Sequence, residues 1–397
     1  MDAPTIDVER ARADTPGVRT VAHLNNAGAA LSPAPVLDAV VGHLRREAEI
    51  GGYEAAAEAH DRLEHTYDAI ADLIGAAPDE IAVIENATRA WDMAFHAVRL
   101  VPGDRILSSN AEYSSNWMGL SLAVERHGAV LEVVPDDEAG QVDVAAVERM
   151  LDERVRLVSL VHVPTSSGLV NPAAAVGAVC RAVGVPLLLD ACQSVGQLPI
   201  DVEVIGCDML SATGRKFLRG PRGTGFLYVR RSRIAELDPP FLDLHSAEWL
   251  ADRSVRVRDD ARRFETWETY VAGKIGLGVA CDYARAIGLE AIAARNAALA
   301  TTLRNGLAAI AGVRVHDPGV ERCAIVTFTV AGRPSAEVVT ALRAAGVNTS
   351  VGSASSSRLD LDRRGLADVV RASPHYYNTE AEIVRLLGLV ERLARGR

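Results

Sequence analysis

Leu187-Leu188-Leu189-Asp190 and Ser211-Ala212-Thr213-Gly214-Arg215-Lys216 are the two stretches that decide how this chain folds, the lysine lying 26 residues beyond Asp190. The first is an apolar run that ends in a carboxylate. It does not alternate polar with apolar, so it reads as a strand covered on both faces. A carboxylate at the buried end of such a strand is costly unless it meets a cation or hydrogen-bond donors. Taken alone, Asp190 could equally cap the following turn. The second stretch continues a strand, Met209–Ser211, into a turn that carries a lysine. Gly220-Pro221-Arg222-Gly223-Thr224-Gly225 and another strand follow. No Gly-Lys-Ser/Thr comes after these glycines, so the segment is not a nucleotide P-loop.

Strand-like and helix-like segments alternate around this centre. Candidate strands are Ile81–Ile84, Arg105–Ser109, Val130–Val134, Leu157–Val163, Leu187–Leu189, Met209–Ser211 and Gly225–Val229. Ala90–Leu100, Asn116–His127, Val144–Glu153 and Ala173–Val183 have helical spacing. The alternation predicts crossover units and a mainly parallel seven-stranded sheet, an α/β architecture that binds ligands at the carboxyl ends of its strands. Pro35–Glu49 and Ala55–Leu73 precede the block as helices; Ala272–Ala286 and Ile292–Ile310 follow it. The tail reads as a smaller α+β unit. Its strands are Ala324–Val330, Val347–Val351 and Val369–Ser373, and its helices Ala336–Ala344 and Thr379–Ala394. The expected division is an N-terminal arm at 1–20, a large domain at 21–285 and a small C-terminal domain at 286–397. Ser353–Ser357 is read as a mobile loop.

At 397 residues the chain exceeds what one hydrophobic core usually serves. Its net charge of -10, without a basic cluster, argues against nucleic acid or an anionic membrane as partner. Met1–Pro16 carries four acidic residues and no apolar segment, unlike a secretory signal. Arg181, Pro186 and Asp190 break the most apolar region, Ala173–Ala191. The five cysteines form no CxxC pair, so a reduced, cytoplasmic protein without disulfide or metal site is expected. Of 42 Lys plus Arg residues, only Lys216 and Lys274 are lysines, leaving forty arginines. A lysine kept under such bias points to chemistry that arginine cannot perform, Schiff-base formation above all.

Glu85-Asn86-Ala87-Thr88-Arg89 ends the first strand and opens a helix, with Thr88 as the expected N-cap and free N–H groups suited to a phosphate. Asp190-Ala191-Cys192-Gln193, Thr213-Gly214-Arg215-Lys216, Asn25-Asn26-Ala27-Gly28 and Arg371-Ala372-Ser373 with Tyr376-Tyr377-Asn378-Thr379 together resemble the fold-type I pyridoxal 5'-phosphate (PLP) enzymes. The likeness is to the class V aminotransferase and cysteine desulfurase superfamily and spans nearly the whole chain. It implies that Lys216 is catalytic and holds PLP covalently. Asp190 would face the pyridine nitrogen and Gln193 the phenolic oxygen, with Tyr113 stacking on the ring. Ala87, Thr88, Thr213 and Arg215 would lie at the phosphate. Thr165 takes the place of the family's Asn near the phenolic oxygen. Asn26 and Arg371 would contact substrate, Arg371 through its carboxylate. A homodimer is implied as well, because Phe264–Glu268 falls where the family reaches across the subunit boundary.

Three departures bear on the reaction. Arg215 replaces the family's His before the lysine, and Glu268 aligns with the Thr sent to the neighbouring subunit's phosphate site. The loop where desulfurases carry a nucleophilic cysteine reads Ser353-Ala354-Ser355-Ser356-Ser357-Arg358. The resemblance is strongest to the branch of isopenicillin N epimerase-like proteins and carbon–sulfur lyases. The reading places β-elimination from a cysteine S-conjugate first, transamination or epimerisation second, and desulfuration after them, because serine cannot store sulfur as a persulfide.

Overall fold

A computed structural model describes residues 6–396. Its centre is a seven-stranded sheet of β1 (Ile81–Ile84), β2 (Arg105–Ser109), β3 (Val130–Val134), β4 (Val155–Val161), β5 (Leu187–Asp190), β6 (Met209–Thr213) and β7 (Gly225–Val229). The spatial order is β1-β7-β6-β5-β4-β2-β3. All strands run parallel except β7, which is antiparallel to both its neighbours. The expected mainly parallel α/β sheet is therefore present. Side chains alternate between two cores. Leu187, Leu189, Leu210, Phe226 and Tyr228 enter one core; Leu188, Met209, Leu227 and Val229 enter the other. Every residue of β5, β6 and β7 is buried, as a strand covered on both faces requires.

Helices α1 (His60–Ile74), α4 (Ala173–Val183) and α5 (Val271–Ile287) cover one face, where Ile70 and Ile74 meet Leu277 and Cys281 and α4 adds Val176 and Cys180. Helices α2 (Ala87–Phe95) and α3 (Ser114–His127) cover the other, through Trp91, Phe95 and Leu120. A Cβ at Gly225 would lie 2.6 Å from Ala212 O and 3.2 Å from Ala87 N. Only glycine lets β7 pass this close to β6 and the start of α2. A second sheet, β8 (Val313–Val315), β9 (Val326–Val330), β10 (Ser350–Ser353) and β11 (Asp368–Ala372), is antiparallel in the order β8-β9-β11-β10.

Several local expectations are corrected. The helix start at 85–89 is capped by Asn86, whose side chain accepts from Arg89 N at 3.0 Å; Thr88 lies inside the first turn. The segment Ala55–Leu73 is two helices, Gly52–Glu58 and His60–Ile74, parted where Ala59 leaves helical geometry. Val347–Val351 also divides: Val347–Asn348 pairs parallel with the short strand Ala22–His23, and Ser350 begins the pairing with β11. The serine run is not an irregular loop. After Ser353 it forms α6 (Ala354–Arg363), kinked at Ser357, and tertiary bonds hold it there. Asp360 accepts from Ser166 Oγ at 2.7 Å and from Arg364 at 2.8 Å. The exposed hairpin Ala247–Trp249 with Val255–Val257 was not expected.

Candidate active site

The carboxyl ends of β1, β2, β4, β5 and β6 deliver the residues singled out above to one edge of the sheet. Asp190 is the last residue of β5, pairs with Ser211 of β6 across the ladder, and is buried. Its Oδ1 accepts from Cys192 N at 2.9 Å and its Oδ2 from Asn116 Nδ2 at 2.9 Å. Two positions beyond Cys192 in the same turn geometry, Ser194 and Val195 close back on Ala191 O, which turns Gln193 inward. Gln193 Nε2 donates to Ala27 O at 3.1 Å and to Thr165 Oγ1 at 3.2 Å, while its Oε1 is buried without a partner.

Thr213 ends β6, and Gly214 N–H bonds Thr224 O at 2.9 Å, closing the turn that presents Lys216. A Cβ at Gly214 would meet Thr224 Oγ1 at 2.3 Å, so this turn needs glycine. Lys216 is buried, and burial pushes its amine below the ordinary lysine range. Its side chain lies within hydrogen-bonding reach of the Cys192 thiol, whose own pKa burial raises. Thr213 Oγ1 donates to Thr224 O at 3.3 Å, and Arg215 is half-buried with its guanidinium bonded to Gly28 O.

Arg371, in β11, reaches the same place from the second sheet. Its Nε donates to Ser350 Oγ and one terminal nitrogen to Thr165 O, each at 3.1 Å, and that nitrogen also bonds Thr165 Oγ1. Thr165 thus joins Arg371 to Gln193. Burial, with Arg215 nearby, pulls the Arg371 guanidinium down to about 10. Among the described residues no carboxylate forms an ion pair with Lys216, Arg215 or Arg371. Three cations gathered around an unpartnered amide oxygen suit a ligand with anionic groups. A phosphate-bearing aldehyde and an amino-acid carboxylate fit this donor set: the lysine suits the aldehyde, Arg215 the phosphate, Arg371 the carboxylate, and Asp190 a protonated ring nitrogen.

Two sequence-selected residues sit less freely. Asn26 is fully buried, with its Oδ1 accepting from Tyr377 OH at 2.5 Å and its Nδ2 donating to Ser373 O at 2.7 Å and His23 O at 3.3 Å. Its amide braces the Asn25–Gly28 turn, with both amide hydrogens donated and its oxygen bonded to Tyr377; among the described residues the neighbouring Asn25 Oδ1 is buried without a partner. Thr88 is exposed, whereas Ala87 at the start of α2 is buried. The sequence reading overlooked Glu112 and Asn116, which stand behind Asp190, and His162 just past β4. Burial holds the His162 imidazole down to about 4, and its Nδ1 has no partner. An acid three residues past the end of a strand, with Asn four residues later on the opening helix, was the available signal for the first pair.

The chain matches the Aminotransferase class-V family over residues 22–386 and belongs to it. Its cofactor is accordingly PLP. Among curated relatives it is 30% identical to a "probable cysteine desulfurase" of Methanothermobacter thermautotrophicus, over 97% of this chain and 98% of the relative. It is 31% identical to one of Synechocystis, over 91% and 88% of the two chains. The solved cysteine desulfurase of Thermococcus onnurineus NA1 superposes with a TM-score of 0.92 at 25% identity, covering 100% of both chains. The relatives thus bear the name of the reaction that the sequence reading placed last.

Proposed function

We propose that the protein cleaves the Cβ–S bond of a cysteine-derived amino acid, releasing the sulfur with its own substituent as a thiol, together with pyruvate and ammonia. The observation that carries the proposal is the helix α6, which has serines where a desulfurase carries its thiol. When bound, PLP supplies an electron-accepting ring that stabilises negative charge at Cα. Lys216 would hold it, with Asp190 at the ring nitrogen, Gln193 at the phenolic oxygen and Tyr113 on the ring face. Ala87, Thr88, Thr213 and Arg215 would hold its phosphate. The substrate carboxylate bonds the free edge of Arg371, which turns the Cα–H bond toward Lys216. The Lys216 amine, kept below the usual lysine range by burial, takes that proton. As the Cα–H pair moves into a Cα–Cβ double bond, the Cβ–S pair leaves with sulfur, and water hydrolyses the resulting enamine. Asn26 keeps the wall of this site in place and does not touch substrate.

Desulfuration is the second reading, favoured by the 30–31% identity to the named desulfurases. It needs a thiol that takes sulfur, and Cys192 beside Lys216 is the nearest; the other four cysteines are buried in the cores. The homodimer remains part of the proposal. Phe264–Glu268 lines a cavity of about 1010 Å³, and exposed Phe241, Trp267 and Tyr270 surround it, a surface suited to a second copy. The deciding experiment offers PLP-loaded protein S-alkyl and S-aryl cysteines beside free cysteine. Stoichiometric thiol and pyruvate are expected from a conjugate. Alanine from cysteine, lost in Cys192→Ser, would overturn elimination in favour of desulfuration. Cα-deuterium exchange without pyruvate from any conjugate would replace both with epimerisation or transamination.

A further inference from the structure

A buried polar cluster lies behind Asp190, and no step described above uses it. Glu112 follows β2 and is buried. Four donors converge on its carboxyl. Tyr113 N at 2.8 Å and Asn116 Nδ2 at 2.9 Å reach Oε1; Ser108 Oγ at 2.8 Å and Ser159 Oγ at 3.0 Å reach Oε2. Ser108 and Ser159 come from neighbouring strands of the sheet, so this end of the carboxyl is anchored to the most rigid part of the fold. The other end fixes two things. It bonds the backbone of Tyr113, the N-cap residue of α3, and it takes one N–H of the Asn116 amide. The same amide nitrogen gives its second N–H to Asp190 Oδ2. One planar amide therefore bridges two carboxyls, and rotation of either breaks a buried bond.

We propose that Glu112 is a positioning residue for the ring-nitrogen end of the site, setting the orientation of Asp190 through Asn116 and the placement of Tyr113 through its backbone. This deepens the assignment of Asp190 and rests on it. Burial lifts the Glu112 carboxyl to about 7, against the pull of its donors, and the charge of Asp190 adds to the rise. Among the described residues no cation bonds it. Its work is therefore geometric: through Asn116 it fixes the side of Asp190 that would face the ring. Glutamine keeps an oxygen for Tyr113 N and Asn116 and turns an amide donor toward the two serines, whose hydroxyls can accept. It is the conservative substitute for the neutral acid, and alanine is not.

The test uses PLP with a ¹⁵N-labelled ring nitrogen. The ¹⁵N shift and the cofactor dissociation constant are measured for wild type, Asn116→Leu, Glu112→Ala, Glu112→Gln and Asp190→Asn, with circular dichroism to confirm folding. Loss of one charge-assisted buried bond predicts about tenfold weaker cofactor in Asn116→Leu and Glu112→Ala. Their ¹⁵N signals should also move toward the unprotonated position, as in Asp190→Asn. Glu112→Gln should stay within about threefold of wild type. Should Asn116→Leu and Glu112→Ala match wild type while Asp190→Asn departs, the positioning role is overturned and the Asp190 assignment survives. An Asp190→Asn protein with an unmoved ring signal overturns both. If Glu112→Gln is as weak as Glu112→Ala, charge rather than placement is what Glu112 supplies, and the proposal fails.

Discussion

Replacing Arg371 by lysine keeps a positive charge at the site and removes the fork. In the structure Nε is engaged by Ser350, one terminal nitrogen is engaged by Thr165, and the other terminal nitrogen has no partner among the described residues. The guanidinium can therefore stay braced on two elements and still present N–H groups to a carboxylate. A lysine ammonium is a single point with three donors; it cannot span Ser350, Thr165 and a substrate oxygen in one arrangement. A hydrogen bond to a charged group is worth about 1.5–3 kcal/mol. Losing the oriented edge should cost about 2–3 kcal/mol of substrate binding, a rise of about 30- to 150-fold in KM. Arg371 makes no contact with Lys216 or Asp190 through hydrogen bonds, so the cofactor dissociation constant should move by no more than about twofold. Steady-state kinetics of thiol release, paired with a cofactor titration, separate the two quantities. An unchanged KM would show that the carboxylate binds elsewhere, and equal losses in cofactor and substrate affinity would assign Arg371 to the phosphate.

Lys216→Ala should fold and lose both turnover and the borohydride-reducible link to PLP; persistence of that link, and its loss in Lys274→Ala, would transfer the role to the other lysine. Glu112 titrates at about 7 in the folded chain against 4.5 for the free side chain, so the folded state holds its proton more tightly. Its contribution to stability is full below about 4.5 and is lost as pH rises through about 7, by about 3 kcal/mol at most. Denaturant titrations of cofactor-free protein should show that fall in wild type relative to Glu112→Gln, and parallel profiles would refute it. Light scattering should give twice the 42.2 kDa chain mass, and an active monomer would remove the cavity at Phe264–Glu268 from any subunit boundary.

The sheet was legible because its strands obey a local rule. Ile81–Ile84, Arg105–Ser109, Val130–Val134 and Gly225–Val229 form at the expected bounds, since short segments rich in apolar and β-branched residues between turn residues favour strands. The strand ends could then be joined to chemistry, because an Asp and a Lys at adjacent strand ends need no distant information. The helix cap was harder. Asn86 and Thr88 are both capping types, and the close passage of Gly225 beside Ala87, which no window around residue 86 contains, accompanies the choice of Asn86. The run Ser353–Ser357 has the composition of a loop, yet Asp360 on the following turn finds Ser166, 194 positions earlier in the chain, and the helix persists. Glu112 was missed for the same reason. Its partners lie at 108, 113, 116 and 159, and the last, on a neighbouring strand, comes to it only when the sheet assembles.

A chain of net charge -10 nonetheless concentrates Lys216, Arg215 and Arg371 in one place. Burial above all, with repulsion from Arg215 added to it, lowers both the Arg371 guanidinium and the Lys216 amine. Such a cluster costs stability in the empty protein and is offset only when anions arrive. A phosphate and a carboxylate are two such anions, and the arginines that would meet them come from different elements, Arg215 from the turn after β6 and Arg371 from β11. The same repulsion favours an amine that gives up its proton, as a base at Cα must. Arg215, standing where the family has histidine, would add to its proposed place at the phosphate a charge beside the lysine that an imidazole does not carry throughout the neutral range. The activity of this enzyme should for that reason depend on the lysine's titration and on Glu112, with no histidine limb between them.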